Sequence, residues 1–337
     1  MPRRILASLC PFVLTAAAWA QLPSAEISGS VTDATGGAVA GATVTITNAA
    51  TNIQRTLTTN SSGLYDAPAL PPGGYSLKVS MPGFKTDVRN GIQLQVDQLA
   101  RIDFSLQVGN VSETLEVQAA APTLDTENAT VGTVIENKRI EELPLNGRNY
   151  LQLASLTPGV TQYGPGNSIA QARGGGDRSN FQLNIAGQRE ENNHYMLDGV
   201  ENTDPNYATY LIQPSVDALQ EFKVETGTYG AEYGHNLGQI NVITKSGSNQ
   251  YHGALFEFLR NSDLDSKNFF DRGGGPNPPF KRNQFGGVIG GPVVIPKVVN
   301  GKNKLFFFFN YEGLRQVQAQ TITSTVPFAS DRAGNFA

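Results

Sequence analysis

Three histidines (His194, His235 and His252) and one cysteine (Cys10) are all that 337 residues offer to the commonest catalytic and metal chemistries. Glu191 and His194 stand in an E-x-x-H spacing, which on a helix would aim two ligands at one metal ion. The Glu-Glu-Asn-Asn run around them reads as a turn instead. Asp198, Glu201, Asp204 and Asn206 supply hard oxygens of the kind a calcium loop uses. The glycine that bends an EF-hand loop at its sixth position is missing, so a solvated loop is the better reading. Gly174-Gly175-Gly176 is not followed by the Lys-Ser or Lys-Thr pair of a phosphate loop. Gly301-Lys302 lacks the upstream glycine, and no Gly-x-Ser-x-Gly occurs. The sequence therefore assigns no catalytic residue, no metal ligand and no cofactor.

The elements around these residues begin with a leader. Residues 1–20 carry Arg3 and Arg4, an apolar run over 5–18, and Ala18-Trp19-Ala20 as a small-x-small cleavage site. The run is too short to span a bilayer and contains Pro11. The flanks of the paired arginines do not extend a twin-arginine pattern, and Cys10 lies inside the apolar run, not at a lipoprotein-type cleavage flank. Cleavage would leave an exported chain with no cysteine, hence no disulfide and no thiolate metal site. Losing Arg3 and Arg4 takes the formal net charge from −4 to −6, which argues against a nucleic-acid partner.

Residues 21–108 read as an all-β module. Alternation is clear in Val44/Ile46, Tyr75/Leu77/Val79, Ile92/Leu94/Val96 and Ile102/Phe104/Leu106/Val108, with Gly, Pro and Asn turns between. Short strands at this spacing predict a small sandwich with one buried face per sheet. The run GSVTDATGGAVAGATVTI…TTNSSGLYDAPALPPGGYSLKVSMPGF resembles the carboxypeptidase regulatory-like, transthyretin-like domain, with Tyr65, Leu70 and Tyr75 as expected core anchors. No histidine lies in the module, so the zinc chemistry of a metallocarboxypeptidase has no ligands there.

The stretch 195–253 organises the rest. YMLDGVENTD ends an apolar run at the turn dipeptide Asp198-Gly199. A brief helical segment (Val216, Leu219) then feeds a strand (Phe222, Val224), and a glycine-punctuated loop leads to a strand with Ile240 and Val242 on one face. This order resembles the plug domain of TonB-dependent outer-membrane receptors. The matching positions are Asp198, Gly199, Glu221, Val224, Tyr233, Gly234, Gly238, Asn241, Ile243 and Thr244. The plug is expected over 125–248, as an α+β domain with a small mixed sheet. Its first strand is expected near Val131 to Ile135, and a short helix over 137–143 would show Ile140 and Leu143 on one side before Pro144. A second helix is expected over 148–156, then a mobile glycine-rich loop, then a strand with Phe181, Leu183 and Ile185. The run ELPLNGRNYLQLASLTPGV resembles the Oar-like branch of the family.

Residues 109–124 form a small-residue connector. Within it Glu113, Thr114, Leu115, Glu116 and Val117 resemble the TonB box, the segment that pairs with a TonB-type energy-coupling protein. The chemistry that this resemblance implies is strand addition: an unpaired extended segment lends its backbone groups to a partner's sheet edge. A last strand of the sandwich, or a plain linker, is the alternative reading of the same residues.

From 249 onward the alternation lengthens, in Ala254/Phe256/Phe258, in the glycine-rich run 284–294 and in Leu305/Phe307/Phe309/Tyr311. Long alternating strands with aromatics near one end are the pattern of outer-membrane barrel strands facing lipid. The four phenylalanines 306–309 would otherwise suit a buried strand of a soluble protein. Residues 249–337 hold three such strands, against at least about 8 for a closed barrel, and an open edge is costly in hydrocarbon. The sequence thus predicts the first part of a longer receptor in the bacterial outer membrane. The function expected from the resemblance is plug-gated uptake of an unidentified substrate. The alternative is an Oar-like surface or adhesion protein without transport, and a secreted hydrolase has no catalytic constellation to support it.

Overall fold

The computed structural model describes residues 25–118, 130–163, 182–207, 209–229, 238–266, 277–319 and 327–334. The expected leader, the glycine-rich loop after 163, Phe181, Tyr233, Gly234 and His235 lie outside the described residues.

The N-terminal module is a β-sandwich. Its strands are β1 (Ala25–Asp33), β2 (Thr43–Asn48), β3 (Gln54–Thr58), β4 (Leu64–Leu70), β5 (Gly73–Ser80), β6 (Thr86–Leu94), β7 (Leu99–Arg101), β8 (Phe104–Leu106) and β9 (Thr114–Gln118). One sheet runs β4-β1-β7 with β8 also on β1; the other runs β3-β2-β5-β6-β9. Alternation creates the core, because every second side chain of a strand points to the same face. In β1, Ala25, Ile27, Gly29 and Val31 are buried while Glu26, Ser28 and Ser30 between them are half-exposed. Tyr65, Leu70 and Tyr75 are buried as expected, and the Tyr65 hydroxyl donates to the Ile102 carbonyl at 2.6 Å. Val108 departs from the expected run. Strand β8 stops at Leu106, and Val108 is left 77 % exposed with only an isolated bridge to Phe84.

The second module is built on one mixed sheet. Its elements are β10 (Gly132–Glu136), helix α1 (Asn137–Glu142), a 3₁₀ turn over Tyr150–Leu156, β11 (Val160–Gln162), β12 (Leu183–Ile185), β13 (Asn193–Leu197), β14 (Val200–Glu201), β15 (Thr203–Asp204), β16 (Thr209–Tyr210), β17 (Leu219–Glu225) and β18 (Gly238–Thr244). The main sheet runs β10-β17-β18-β13-β14, with β13 and β18 parallel and the other pairs antiparallel. Helix α1 buries Ile140, but Leu143 remains 38 % exposed. Pro144 disfavours helical geometry in the residue before it, and Leu143 is extended (φ −80°, ψ 138°), so it leaves the helix's buried side. The segment expected as a helix over 148–156 is a 3₁₀ turn that starts later, where the Asn149 side chain accepts from the Leu151 N–H at 3.0 Å. Tyr150, Leu151, Leu153 and Ala154 from that turn pack with Phe222, Val224, Ile240 and Val242 in one core.

Strands β19 (His252–Asn261), β20 (Phe280–Pro292), β21 (Val294–Ile295), β22 (Val299–Asn300) and β23 (Phe306–Gln318) follow. The three long ones, of 10, 13 and 13 residues, form an open sheet in the order β19-β20-β23. Each is long enough to cross a hydrocarbon layer, which takes roughly 9–11 residues of strand. Leu255, Leu259, Phe309, Tyr311 and Val317 are exposed along it, as lipid-facing residues of barrel strands would be. Among the described residues no helix is long and apolar enough to cross a membrane, which says nothing of crossing by strands.

Candidate functional site

The residues singled out for function fall in two places: the hairpin-and-sheet motif of the second module, and the strand β9.

Asp198 and Gly199 form the two-residue loop between β13 and β14, with φ of 49° and 76°. Positive φ at both central positions is the geometry of a type I′ hairpin turn, for which Asp-Gly is a favoured pair. Asp198 also has a second task. Its carboxylate accepts from the Thr244 N–H and from the Thr244 hydroxyl, both at 2.8 Å, and so ties the turn to the end of β18. Gly238 opens β18 against a crowded wall. A Cβ there would lie 2.6 Å from Asn193 Oδ1 and 2.9 Å from Ile185, so only glycine lets the strand approach. Val224, fully buried, stands opposite Ile240, and Ile243 opposite Glu221.

The central strands β17 and β18 of this sheet are buried on both faces, and the two faces differ. Phe222, Val224, Ile240 and Val242 form the apolar side. On the reverse, Glu221, Lys223 and Glu225 of β17 lie beside Gln239 and Asn241 of β18, all at most 7 % exposed. Burying such groups is costly unless each finds a partner. Lys223 Nζ pairs with Glu225 Oε1 at 2.8 Å, and His194 Nδ1 meets Gln239 Oε1 at 2.7 Å. Asn241 donates to Asp97, and Glu221 accepts from the Val96 backbone N–H. Gln95 and Glu136 bond at 3.2 Å. The turn after β6 of the sandwich is therefore seated on the polar face of the plug-like sheet. Burial there, with Glu136 and Asp97 adding negative charge nearby, pushes the Glu221 carboxyl up to about 7 even though the Val96 N–H opposes it. Sequence reading missed this docking turn. Its only trace is Val96, whose place in the apolar alternation suggests burial but names no partner.

The E-x-x-H pair does not assemble. Glu191 lies in a 3₁₀ turn (Glu190–Asn192), while His194 Nε2 turns to Glu201. Asp204 accepts from the Asn206 N–H at 2.9 Å and caps its own turn. Among the described residues no three His, Cys, Asp or Glu side chains converge as a metal site.

Strand β9 takes up the alternative reading of the connector: residues 114–118 lie as the last strand of the sandwich, parallel to β6 in the register Thr86↔Thr114 to Asn90↔Gln118. The reason is the edge of β6, whose backbone groups would otherwise lack protein partners. Lys85 Nζ pairs with Glu113 at 2.8 Å, the Thr86 hydroxyl donates to the Val111 carbonyl at 2.8 Å, and Asn90 Nδ2 donates to Glu116 Oε1 at 2.6 Å. Thr114, Leu115 and Glu116 remain exposed.

Comparison with known proteins follows the same divisions. Residues 26–107 match the carboxypeptidase regulatory-like domain, 124–238 the TonB-dependent receptor plug domain, and 243–337 an outer membrane beta barrel domain. The chain is 30 % identical over 311 residues to the TonB-dependent transporter Oar of Myxococcus xanthus, covering 88 % of this chain and 27 % of that protein. It is 29 % identical over 148 residues to a probable TonB-dependent siderophore receptor, PirA, of Acinetobacter baumannii, covering 40 % of this chain and 19 % of that protein. A crystal structure of PirA from Acinetobacter baumannii superposes with a TM-score of 0.35 and 24 % identity, covering 48 % of this chain and 22 % of that one. The chain thus spans about a quarter or less of the length of these curated relatives.

Proposed function

Because the chain belongs to the TonB-dependent outer-membrane receptors, we propose that it serves plug-gated uptake across the bacterial outer membrane, where that family resides. Residues 21–108 are the periplasmic sandwich, 109–124 the coupling connector, 125–248 the plug, and 249–337 the start of the barrel. Substrate arriving at the outer face of the plug favours the state in which a TonB-type protein engages 113–117. Binding can shift that balance only by its differential affinity for the two states. Force applied to the connector then reaches the plug through β10, the next described strand of the chain, which lies at the edge of the plug sheet.

The observation that carries this reading is the order of parts in one chain: an exposed edge strand, a connector, and a sheet whose charged face is buried in paired groups. Those pairs hold the plug together without a continuous apolar core on that side. The Oar relative's name describes a transporter, which favours uptake over adhesion. The test is binding of the periplasmic C-terminal domain of a TonB-type protein to the 337-residue chain. Deleting 113–117 is expected to abolish binding, and undiminished binding by the deletion variant would overturn the assignment.

A further inference from the structure

The five-stranded sheet of the sandwich has two edges, and they are treated differently. At β3, the Arg55 guanidinium reaches across to the Pro68 carbonyl of β4, closing that side of the sandwich. At β9 no strand among the described residues pairs with the outer side. Its sequence, TLEVQ, has none of the lysine or proline residues with which proteins usually protect an edge from further pairing.

The direction of the exposed groups follows from a single bond. The Thr86 N–H donates to the Glu113 carbonyl at 2.9 Å. Along a strand, successive residues turn their N–H and C=O to opposite sides, so in this parallel ladder Glu113, Leu115 and Val117 face β6. The backbone groups of Thr114, Glu116 and Gln118 therefore face outward. The side-chain clamps of Lys85 and Asn90 hold the strand in that attitude.

We propose that the coupling segment stays on the sandwich when it is engaged: a strand of the TonB-type partner adds to the outer side of β9 through Thr114, Glu116 and Gln118, extending the sheet from five strands to six. The inference rests on the coupling role given to 113–117 above. It gives the sandwich a task, which is to present the segment already ordered, so that little of the binding energy is lost to ordering it. It also reassigns the residues that matter. Proline at Leu115 or Val117 would remove N–H groups that bond β6, whereas proline at Thr114 or Glu116 would remove donors that face the partner.

The experiment is residue-resolved amide hydrogen exchange on the 337-residue chain, with and without the periplasmic C-terminal domain of a TonB-type protein. Alone, Leu115 and Val117 should exchange slowly and Thr114, Glu116 and Gln118 fast. With the partner bound, all five should be slow. Loss of protection at Leu115 and Val117 on binding would mean the partner strips β9 from the sandwich, and would overturn the proposal. So would partner binding that leaves Thr114, Glu116 and Gln118 fast. Thr114→Pro with Gln118→Pro, which leaves the Asn90–Glu116 clamp in place, should weaken binding by about ten-fold or more, as expected for two lost hydrogen bonds, without moving the sandwich's thermal transition. Lys85→Ala with Asn90→Ala loosens the clamp outside the segment. It should weaken binding if the strand is presented, and strengthen it if the strand must be released. A chain that does not bind the partner at all, even unaltered, defeats the coupling role itself and not merely the manner of docking.

Discussion

Both the sandwich and the plug are sheets with an apolar core, yet they solve the opposite face differently. In the sandwich the reverse of β1 and β5 is half-exposed or exposed, so polar residues there are hydrated and need no partner. In the plug the reverse face of β17 and β18 is buried too, and its charged residues are held by partners, Glu225 for Lys223 along the same strand and the Val96 N–H for Glu221 from the sandwich turn. The same period of two thus serves two designs. One spends its polar face on water, and the other on a network in which each member is costly to orphan.

Four measurements bear on that contrast. The largest effect should come from the apolar side, which both sheets share. Phe222→Ala removes a fully buried ring stacked edge-on against Tyr150 at 5.4 Å, and should cost the plug about 3–5 kcal/mol. Denaturant unfolding should show the sandwich transition unchanged, since its core is a separate cluster; a parallel loss in both would erase the distinction between them.

The polar side should separate the two modules. Lys223→Met leaves Glu225 buried without its counter-charge, at about 3–5 kcal/mol, while the double change Lys223→Met with Glu225→Leu should recover most of it. The exposed pair Lys85–Glu113 on the sandwich is the control, and breaking it should cost less than about 1 kcal/mol. Equal losses at both pairs would contradict the reading of a buried network.

Asp198→Ala tests the tie between turn and strand. Two hydrogen bonds to Thr244 disappear and a residue less suited to positive φ takes the turn, for a loss of about 1–3 kcal/mol in thermal or chemical unfolding. Asp198→Asn, which tolerates that backbone region, should lose less.

The last measurement is a dependence on pH at the seat of the sandwich turn. Glu221 has its carboxyl raised from 4.5 to about 7 by burial, so across that window the folded protein holds a proton that the unfolded chain has released. Its contribution to stability is therefore complete at pH below the ordinary carboxyl value and is lost as pH rises through about 7. Glu221→Gln should flatten this part of the pH–stability curve; an unchanged slope would remove Glu221 as its source.

The sequence by itself determined the strands, the turn and the modules. Alternation marked β2, β5, β6, β17 and β18 because a strand with one apolar face must repeat every two residues, and Asp198-Gly199 announced its hairpin because few residue pairs accept positive φ twice. Motifs read in order also gave the family. What periodicity does not carry is the identity of the neighbour. Glu221, Lys223, Glu225, Gln239 and Asn241 read as an ordinary polar face, and only the folded chain brought Val96, Asp97 and His194 against them. The segment 113–117 carried the same ambiguity, since an extended strand looks alike whether free or paired. Register with β6, some 28 residues away, is a long-range choice made by the need of an open edge for hydrogen-bond partners, and no local pattern in the sequence encodes it.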